Sequence, residues 1–262
     1  MGVILRSERD VGVSPRFAAK ASRAPLRRAN GARGAALVCE TARFGGAARR
    51  ASCAWRLRSR PTAGGARETT MRALVVKAHP VEDSFCAATT RAVVEGLDAG
   101  GASVDLADLY AEGFQPLMTR EDRLLYHAIP ENRALAQGFA ERLEAADALV
   151  MVFPTWINGP PSMLKGWLEK VMLPGLAFDL GPYRPKLRHL KLVAGVTTYG
   201  GSRLRNAIAG DASRKMATRL VPAYTGWRAK RRYFALYGID LSTPDQRTAF
   251  LDRVREGMKA LA

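Results

Sequence analysis

Three short stretches of this 262-residue chain hold residue types that could do chemistry, and each follows an apolar run. The first is His79-Pro-Val-Glu-Asp-Ser84-Phe85. Ser84 can cap a following helix, whose free N–H groups and positive dipole end suit a phosphate, and His79 can add a donor to it. The second is Phe153-Pro-Thr-Trp-Ile-Asn-Gly-Pro-Pro-Ser162, an uncharged loop. Pro160 and Pro161 carry no N–H, so the donors concentrate on Thr155, Trp156, Ile157, Asn158 and Gly159. Glycine at 159 permits close backbone approach. A planar neutral ring wants such a loop, with apolar surface on its face and backbone donors at its polar edge. The third is Thr197-Thr-Tyr-Gly-Gly-Ser202, two hydroxyls and two glycines that could form another edge of one pocket. Each stretch alone also reads as plain architecture: a capped helix with a turn histidine, a proline-stiffened turn with a packing Trp156, a Gly-Gly turn.

The surrounding pattern supplies the elements that would position them. Arg72–Ala78 is a short apolar run rich in β-branched residues and reads as a strand buried on both faces. Phe85–Ala99 has helical period and stops at Gly100-Gly101. Ser103–Ala107 alternates as a second strand, and residues 108–130 form a long connection with a helical piece around Arg120–His127. Glu131–Ala146 is expected as one helix with Leu135, Phe139, Leu143 and Ala146 on its apolar face. Asp147–Phe153 is the third strand, Ser162–Leu173 a helix, Leu190–Thr197 the fourth strand, 203–220 helical and Arg232–Tyr237 the fifth strand. Thr243–Leu261 closes the chain as a helix, with Ser242 or Thr243 as its cap ahead of Pro244. Five strands alternating with helices imply an α/β fold with a parallel sheet covered on both sides. The count and size suit a flavodoxin-like doubly wound sheet of order 2-1-3-4-5. Ligands of such sheets sit beyond the carboxyl ends of the strands, at the switch point between the first and third strands. All three stretches fall there.

The net charge of +17 suggests a nucleic-acid or membrane partner at first sight, but its distribution argues otherwise. Residues 1–70 hold 15 basic against 4 acidic residues, and residues 71–262 hold 26 against 20. The first quarter is Ala, Arg and Gly with no sustained period, and is expected to be a disordered basic extension. It reads either as out-of-place translation upstream of a start at Met71, the reading preferred because Met71 directly precedes the first strand, or as an organellar transit peptide. Localisation is accordingly cytoplasmic, or organellar on the second reading. A nucleic-acid arm lacks aromatic interleaving, so no nucleic-acid partner is expected. No apolar run reaches membrane-spanning length. Cys39 and Cys53 lie in the extension and only Cys86 in the body, which leaves no disulfide framework, and His79, His127 and His189 lack ligand spacing. No metal is expected. Cys86, in a first helical turn, reads as a small buried residue more readily than as an activated thiol.

The segment from Met71 to the end resembles the flavodoxin-like NAD(P)H:quinone oxidoreductase family, including its bacterial NAD(P)H-dependent members. The resemblance rests on "RALVVKAHPVEDSF" at 72–85, "FPTWINGPPSMLKGWLEKVMLPGLAF" at 153–178 and "VTTYGG" at 196–201. It implies bound FAD, or FMN in some members, and NAD(P)H as co-substrate. It also implies ping-pong two-electron reduction of a quinone or related small-molecule acceptor, and a homodimer with the site at the subunit interface. Carried over residue by residue, His79, Ser84 and Phe85 meet the cofactor phosphates and ribityl chain. Pro154, Thr155, Trp156, Ile157 and Asn158 line the isoalloxazine, and Thr197, Thr198, Gly200 and Gly201 hold its other edge. Lys165 is a helix-surface or interface residue.

Two departures stand out. Aligned on Gly210-Asp211, Ala209 and Arg203 occupy the places of a His and a Tyr that relay charge in the quinone reductases. The catalytic group is therefore left open, with Tyr199 the weak candidate. Ile157-Asn158 replaces an aromatic wall, which makes the acceptor pocket more polar. Two other roles stay open: an ancillary regulatory subunit of a potassium-efflux transporter, and a flavin-binding protein with little turnover. Arg184, Lys186 and Arg188 sit on a loop expected to fold over the pocket, where they could meet cofactor phosphates or simply be solvated.

Overall fold

The computed structural model describes residues 70–262. The expected basic extension, with Cys39 and Cys53, lies outside the described residues but for Thr70. Strand β1 (Arg72–Lys77) leads into α1 (Phe85–Ala99), and β2 (Ser103–Asp108) follows. Next come α2 (Arg120–Leu125), a 3-10 turn at Glu131–Ala136, α3 (Phe139–Ala145), β3 (Ala148–Thr155) and α4 (Ser162–Val171). The two-residue strands β4 (Phe178–Asp179) and β5 (Arg184–Pro185) pair as a small antiparallel hairpin. After β6 (Leu192–Tyr199) come α5 (Arg203–Ile208), α6 (Ala212–Lys215), a π-helical turn at Met216–Leu220 and α7 (Val221–Ala223). Strand β7 (Lys230–Tyr237) and α8 (Pro244–Lys259) complete the fold.

The five long strands pair in parallel in the order β2-β1-β3-β6-β7, the expected doubly wound order once the hairpin is set aside. Alternation along the strands splits the core in two. Leu74, Val76, Leu149, Met151 and Val193 face the layer of α3, α4 and the helical run after α5. Ala73, Val75, Val150, Ala194 and Val196 face α1 and α8, which bring Val93, Leu97, Phe250 and Val254. Strands buried on both faces must be near-continuously apolar, which is why β1 and β3 read so clearly.

Helix boundaries follow their caps. Ser84 Oγ accepts from Ala87 N–H and starts α1. Thr243 and Gln246 form a capping box on α8, with Pro244 as the first helical residue. The single helix expected over Glu131–Ala146 is instead two pieces. Gln137 (φ 50°) and Gly138 (φ 86°) are both left-handed. The Gln137 carboxamide exchanges two 3.2 Å hydrogen bonds with the Gln115 backbone, which offsets the broken turn. Leu135, Phe139, Leu143 and Ala146 are nevertheless all buried, so the apolar face survives the break. Residues 203–220 break likewise at Gly210 (φ 93°) and Asp211 (φ 44°).

Candidate functional site

The parallel register carries the three predicted stretches to one edge. The Ala78 N–H donates to Val152 O at 3.0 Å, and Thr155 is the Cα partner of Tyr199. The rings of His79 and Trp156 lie 5.8 Å apart, joining the first stretch to the second. Thr155 and Thr197 share a 3.0 Å hydroxyl contact, joining the second to the third, and Thr155 donates to Ser213 Oγ at 3.0 Å.

The first stretch offers donors. His79 Nδ1 lies 3.1 Å from Val81 N and 3.2 Å from Val81 O, so the Val81 backbone anchors that side of the ring, and Nε2 has no partner among the described residues. Ser84 satisfies the third N–H of α1, and its carbonyl accepts from Ala88, so the Phe85 and Cys86 N–H groups remain open at the positive end of a 15-residue helix. The Phe85 ring itself packs inward, 6.2 Å from Phe250, so Phe85 can serve a ligand through its N–H and not its ring. Burial pushes the Cys86 thiol up to about 12, which removes any activated-thiol role.

The second stretch is a tight turn. Trp156 and Gly159 exchange two backbone hydrogen bonds of 3.0 Å, with Ile157 (φ 47°) and Asn158 (φ 57°) both left-handed between them. This is type I′ geometry, which normally selects Asn-Gly. The expected donor set is corrected accordingly: the Trp156 and Gly159 N–H groups are consumed by the turn, while those of Ile157 and Asn158 have no backbone partner. Gly159 also has no close neighbour to accommodate, since a Cβ there would meet nothing nearer than 4.0 Å. Ile157 is 99% exposed and Trp156 44%, so a β-branched residue in a left-handed conformation stands bare at the tip beside a half-open indole. Strain of that kind is retained where surroundings or function over-determine it. Pro154 is buried within β3.

The third stretch faces partly inward. Thr197 is buried with its hydroxyl engaged, and Thr198 is half-buried on the opposite face. Gly200 makes room for the Asp240 carboxylate, whose Oδ2 would lie 2.8 Å from any Cβ, and Gly201 O accepts from Gly238 N–H at 3.1 Å. Tyr199 is only 1% exposed. Its hydroxyl donates to Asp211 Oδ1 at 2.5 Å and contacts the Tyr233 hydroxyl, while its ring stacks on Tyr237 with centroids 4.5 Å apart. Burial and the Asp211 carboxylate hold the Tyr199 phenol well above the ordinary tyrosine range. Burial, then Tyr199, does the same to Tyr233. Tyr199 is thus a protonated, positioned residue, not an exposed proton donor. Only hydroxyl and carboxylate residues directly after Gly210 and a tyrosine on the neighbouring strand mark Asp211, Ser213 and Tyr233 in the sequence, and neither signal singles them out as site residues.

The loop expected to fold over the pocket has other contacts. Its hairpin reaches Tyr224 through Phe178 at 5.8 Å, and Lys186 donates to Gly175 O at 2.6 Å and pairs with Asp179 at 3.6 Å. Lys165 pairs with Glu169 on the surface of α4, as expected. A groove of about 420 Å³ lies away from the three stretches, lined by Met118, Tyr126, Lys165, Leu168, Met172 and Leu220 among others. Among the described residues no His, Cys, Asp or Glu cluster could hold a metal ion, and no helix is long and apolar enough to cross a membrane.

Comparison with known proteins identifies the fold. The description of a flavodoxin-like fold matches residues 71–261. The NAD(P)H dehydrogenase [quinone] 1 of Cavia porcellus is 33% identical over 209 residues, covering 69% of this chain and 73% of the relative. The Escherichia coli NAD(P)H oxidoreductase YcaK is 36% identical over 128 residues, 47% of this chain and 65% of that protein. The solved NAD(P)H:quinone oxidoreductase of Methanothermobacter marburgensis superposes with a TM-score of 0.64 at 24% identity, covering 74% of this chain and all of that one.

Proposed function

The chain belongs to the flavodoxin-like NAD(P)H:quinone oxidoreductase family, and from that premise we propose that it is a flavin-dependent NAD(P)H oxidoreductase that reduces quinones or related small acceptors by two electrons. The observation that carries the reading is the meeting of three stretches at one sheet edge, His79 on Trp156 and Thr155 on Thr197.

The residues fit a flavin. The open N–H groups at the start of α1 and His79 Nε2 would hold a phosphate. The half-exposed Trp156 offers apolar surface to a ring, and the unpartnered N–H groups of Ile157 and Asn158 lie beside it. A bound flavin supplies the redox chemistry, accepting a hydride from NAD(P)H and passing two electrons to the acceptor. The protein's part is to fix dipoles where negative charge grows. The Ile157 and Asn158 N–H groups would do this without reorganising, because the I′ turn already fixes them with no backbone partner. The Thr155 hydroxyl joins Thr197 on one side and Ser213 on the other, which pins β3 to β6 and α6 and so holds the turn against the third stretch. Tyr199 and Asp211 set the shape of that wall. They put a rigid support where a relay would stand, with the Tyr199 phenol held protonated against the Asp211 carboxylate.

The groove beside α4 supports reading the protein as a homodimer. Leu220 on its lining is exposed, as are Leu117 and Leu124, next in sequence to its lining residues Met118 and Arg123, and a second copy would cover such apolar surface. Light scattering on the purified protein checks this. The test of the function is the absorbance spectrum of purified protein, the mass of the released cofactor, which separates FAD from FMN, and steady-state NAD(P)H oxidation with a quinone. A colourless protein that does not take up added flavin overturns the reading. A yellow protein that turns over no acceptor reduces it to flavin binding.

A further inference from the structure

Arg203, Arg214 and Arg253 come from α5, α6 and α8, yet they open onto one cavity of about 370 Å³ at the outer edge of β7. Its other walls are Tyr233, Phe234, Ala235 and Tyr237. Among the described residues none of the three guanidinium groups takes part in an ion pair. Two of them are nevertheless held in place. Arg253 Nη2 donates to Ala235 O at 3.3 Å, and Arg214 lies over the Tyr233 ring at 5.9 Å. Arg203 and Arg214 both act on the Tyr237 phenol through space. Asp211 faces the same tyrosines but is already engaged by Tyr199. Three like charges converging on one cavity repel each other unless an anion joins them. Guanidinium groups suit a phosphate, which they can meet with paired hydrogen bonds.

The cavity is placed to serve the redox site. Ala235 and Tyr237 are the Cα partners of Thr197 and Tyr199. Parallel neighbours lie about 5 Å apart, so the cavity is roughly 10 Å sideways from Thr155 and Trp156, two strands over. Arg203 follows directly on the Gly200-Gly201-Ser202 loop. A long ligand lying along the carboxyl edge with its reacting end at Trp156 would reach the arginines with its other end.

We propose that Arg203, Arg214 and Arg253 bind the 2′-phosphate of NADPH, so that the protein selects NADPH over NADH. The two nucleotides differ only there: a phosphate monoester in one, a neutral hydroxyl in the other. Three unpaired cations on a cavity wall reward the first and do nothing for the second. The inference rests on the NAD(P)H oxidoreductase reading but concerns a different surface, so the two can fail separately.

The test uses the full-length protein with its flavin. Calorimetric titration compares adenosine 2′,5′-bisphosphate with adenosine 5′-monophosphate at low salt. The bisphosphate is expected to bind at least tenfold tighter, and Arg214→Gln and Arg203→Gln each to erase most of that advantage. Steady-state kcat/KM for NADPH is expected to exceed that for NADH by at least tenfold, with the ratio falling toward one in both variants. Both arginines are exposed, and a thermal melt of each variant confirms folding. Equal binding of the two nucleotides overturns the proposal, as does an unchanged ratio in both variants. Loss of flavin from the variants overturns it in favour of a site for the cofactor's own phosphates. Preferential, arginine-dependent binding of the bisphosphate without NADPH oxidation upholds the site while removing the enzyme reading; turnover with a ratio of one does the reverse.

Discussion

The carboxyl edge of the sheet is built in two ways. Over β1 and β3 the protein leaves groups unsatisfied: a bare left-handed Ile157-Asn158 tip, two N–H groups without backbone partners, a half-open Trp156 and a free His79 Nε2. Beneath the arginine rim of β6 and β7 the buried polar groups are spent on each other, with Tyr199 on Asp211 and Tyr233, and the Tyr237 ring stacked on Tyr199. Buried polar groups stabilise only when paired, and a binding surface is useful only when its groups are not. The difference therefore separates a supporting wall from a ligand face. Substitution on the wall should cost stability, and substitution on the face should cost affinity.

The largest effect is expected at Asp211. Asp211→Ala strips Tyr199 of its carboxylate acceptor and puts alanine in a left-handed conformation (φ 44°). The expected loss is about 2 kcal/mol, the range for a hydrogen bond to a charged group. In a domain of this size that lowers Tm by roughly 6 °C, readable by calorimetry. Asp211→Asn, which keeps an oxygen acceptor and tolerates the backbone, should recover much of it. A full-length protein with unchanged Tm in both variants would mean that the wall is not structural.

Trp156→Ala should do the opposite. A 44% exposed indole removed from a turn tip should change stability by less than about 0.5 kcal/mol. Flavin affinity should fall at least tenfold, about 1.4 kcal/mol, read as the dissociation constant of added flavin by fluorescence quenching. If Trp156→Ala lowers Tm and leaves flavin affinity alone, the indole merely packs.

How much of this was legible depends on where the information is local. Helix α1 could be read to the residue, because Ser84 caps it and Gly100-Gly101 ends it within the same short stretch. The strand order followed from alternation of strands and helices, and the convergence of three stretches followed from the strand order. The split of Glu131–Ala146 was not legible, because Gln137 adopts its left-handed backbone to satisfy Gln115, 22 residues away. The apolar face could still be read, since period does not depend on the break. The I′ turn was hidden for a related reason. Ile157-Asn158 lacks the usual Asn-Gly signature, so nothing local announced that Trp156 and Gly159 would spend their N–H groups on each other. The Tyr199–Asp211–Tyr233 cluster joins residues from β6, the start of α6 and β7, and only the fold brings them together.

That hidden strain gives a third, smaller prediction. Ile157→Asn places a residue that tolerates the left-handed region at the tip, where a β-branched side chain pays about 1 kcal/mol. Urea denaturation should show a gain of that order. If flavin affinity then drops, the isoleucine side chain is part of the ligand face and the strain is retained for binding. If affinity is unchanged, the turn's N–H groups alone matter. No gain in stability would show that Ile157 is not strained.

The smallest effect is expected from pH, and it belongs to the wall. Tyr199 and Tyr233 have their phenols held above the ordinary tyrosine value of 10.0 by burial. Above about that pH the unfolded chain releases their protons while the native protein keeps them, so the unfolded state binds fewer protons and stability falls as pH rises. The contribution is complete below the unfolded value and is lost progressively above it. Cys86, pushed up from 9.0 to about 12, adds the same sign starting roughly one unit lower. Tm should therefore decline from pH 9 to pH 11 more steeply in wild type than in Cys86→Ala with Tyr233→Phe, and the loss between the two should appear with no change in the flavin spectrum. A decline of equal slope in both would place the alkaline sensitivity elsewhere, and a spectral change that tracks it would tie wall and ligand face into a single unit.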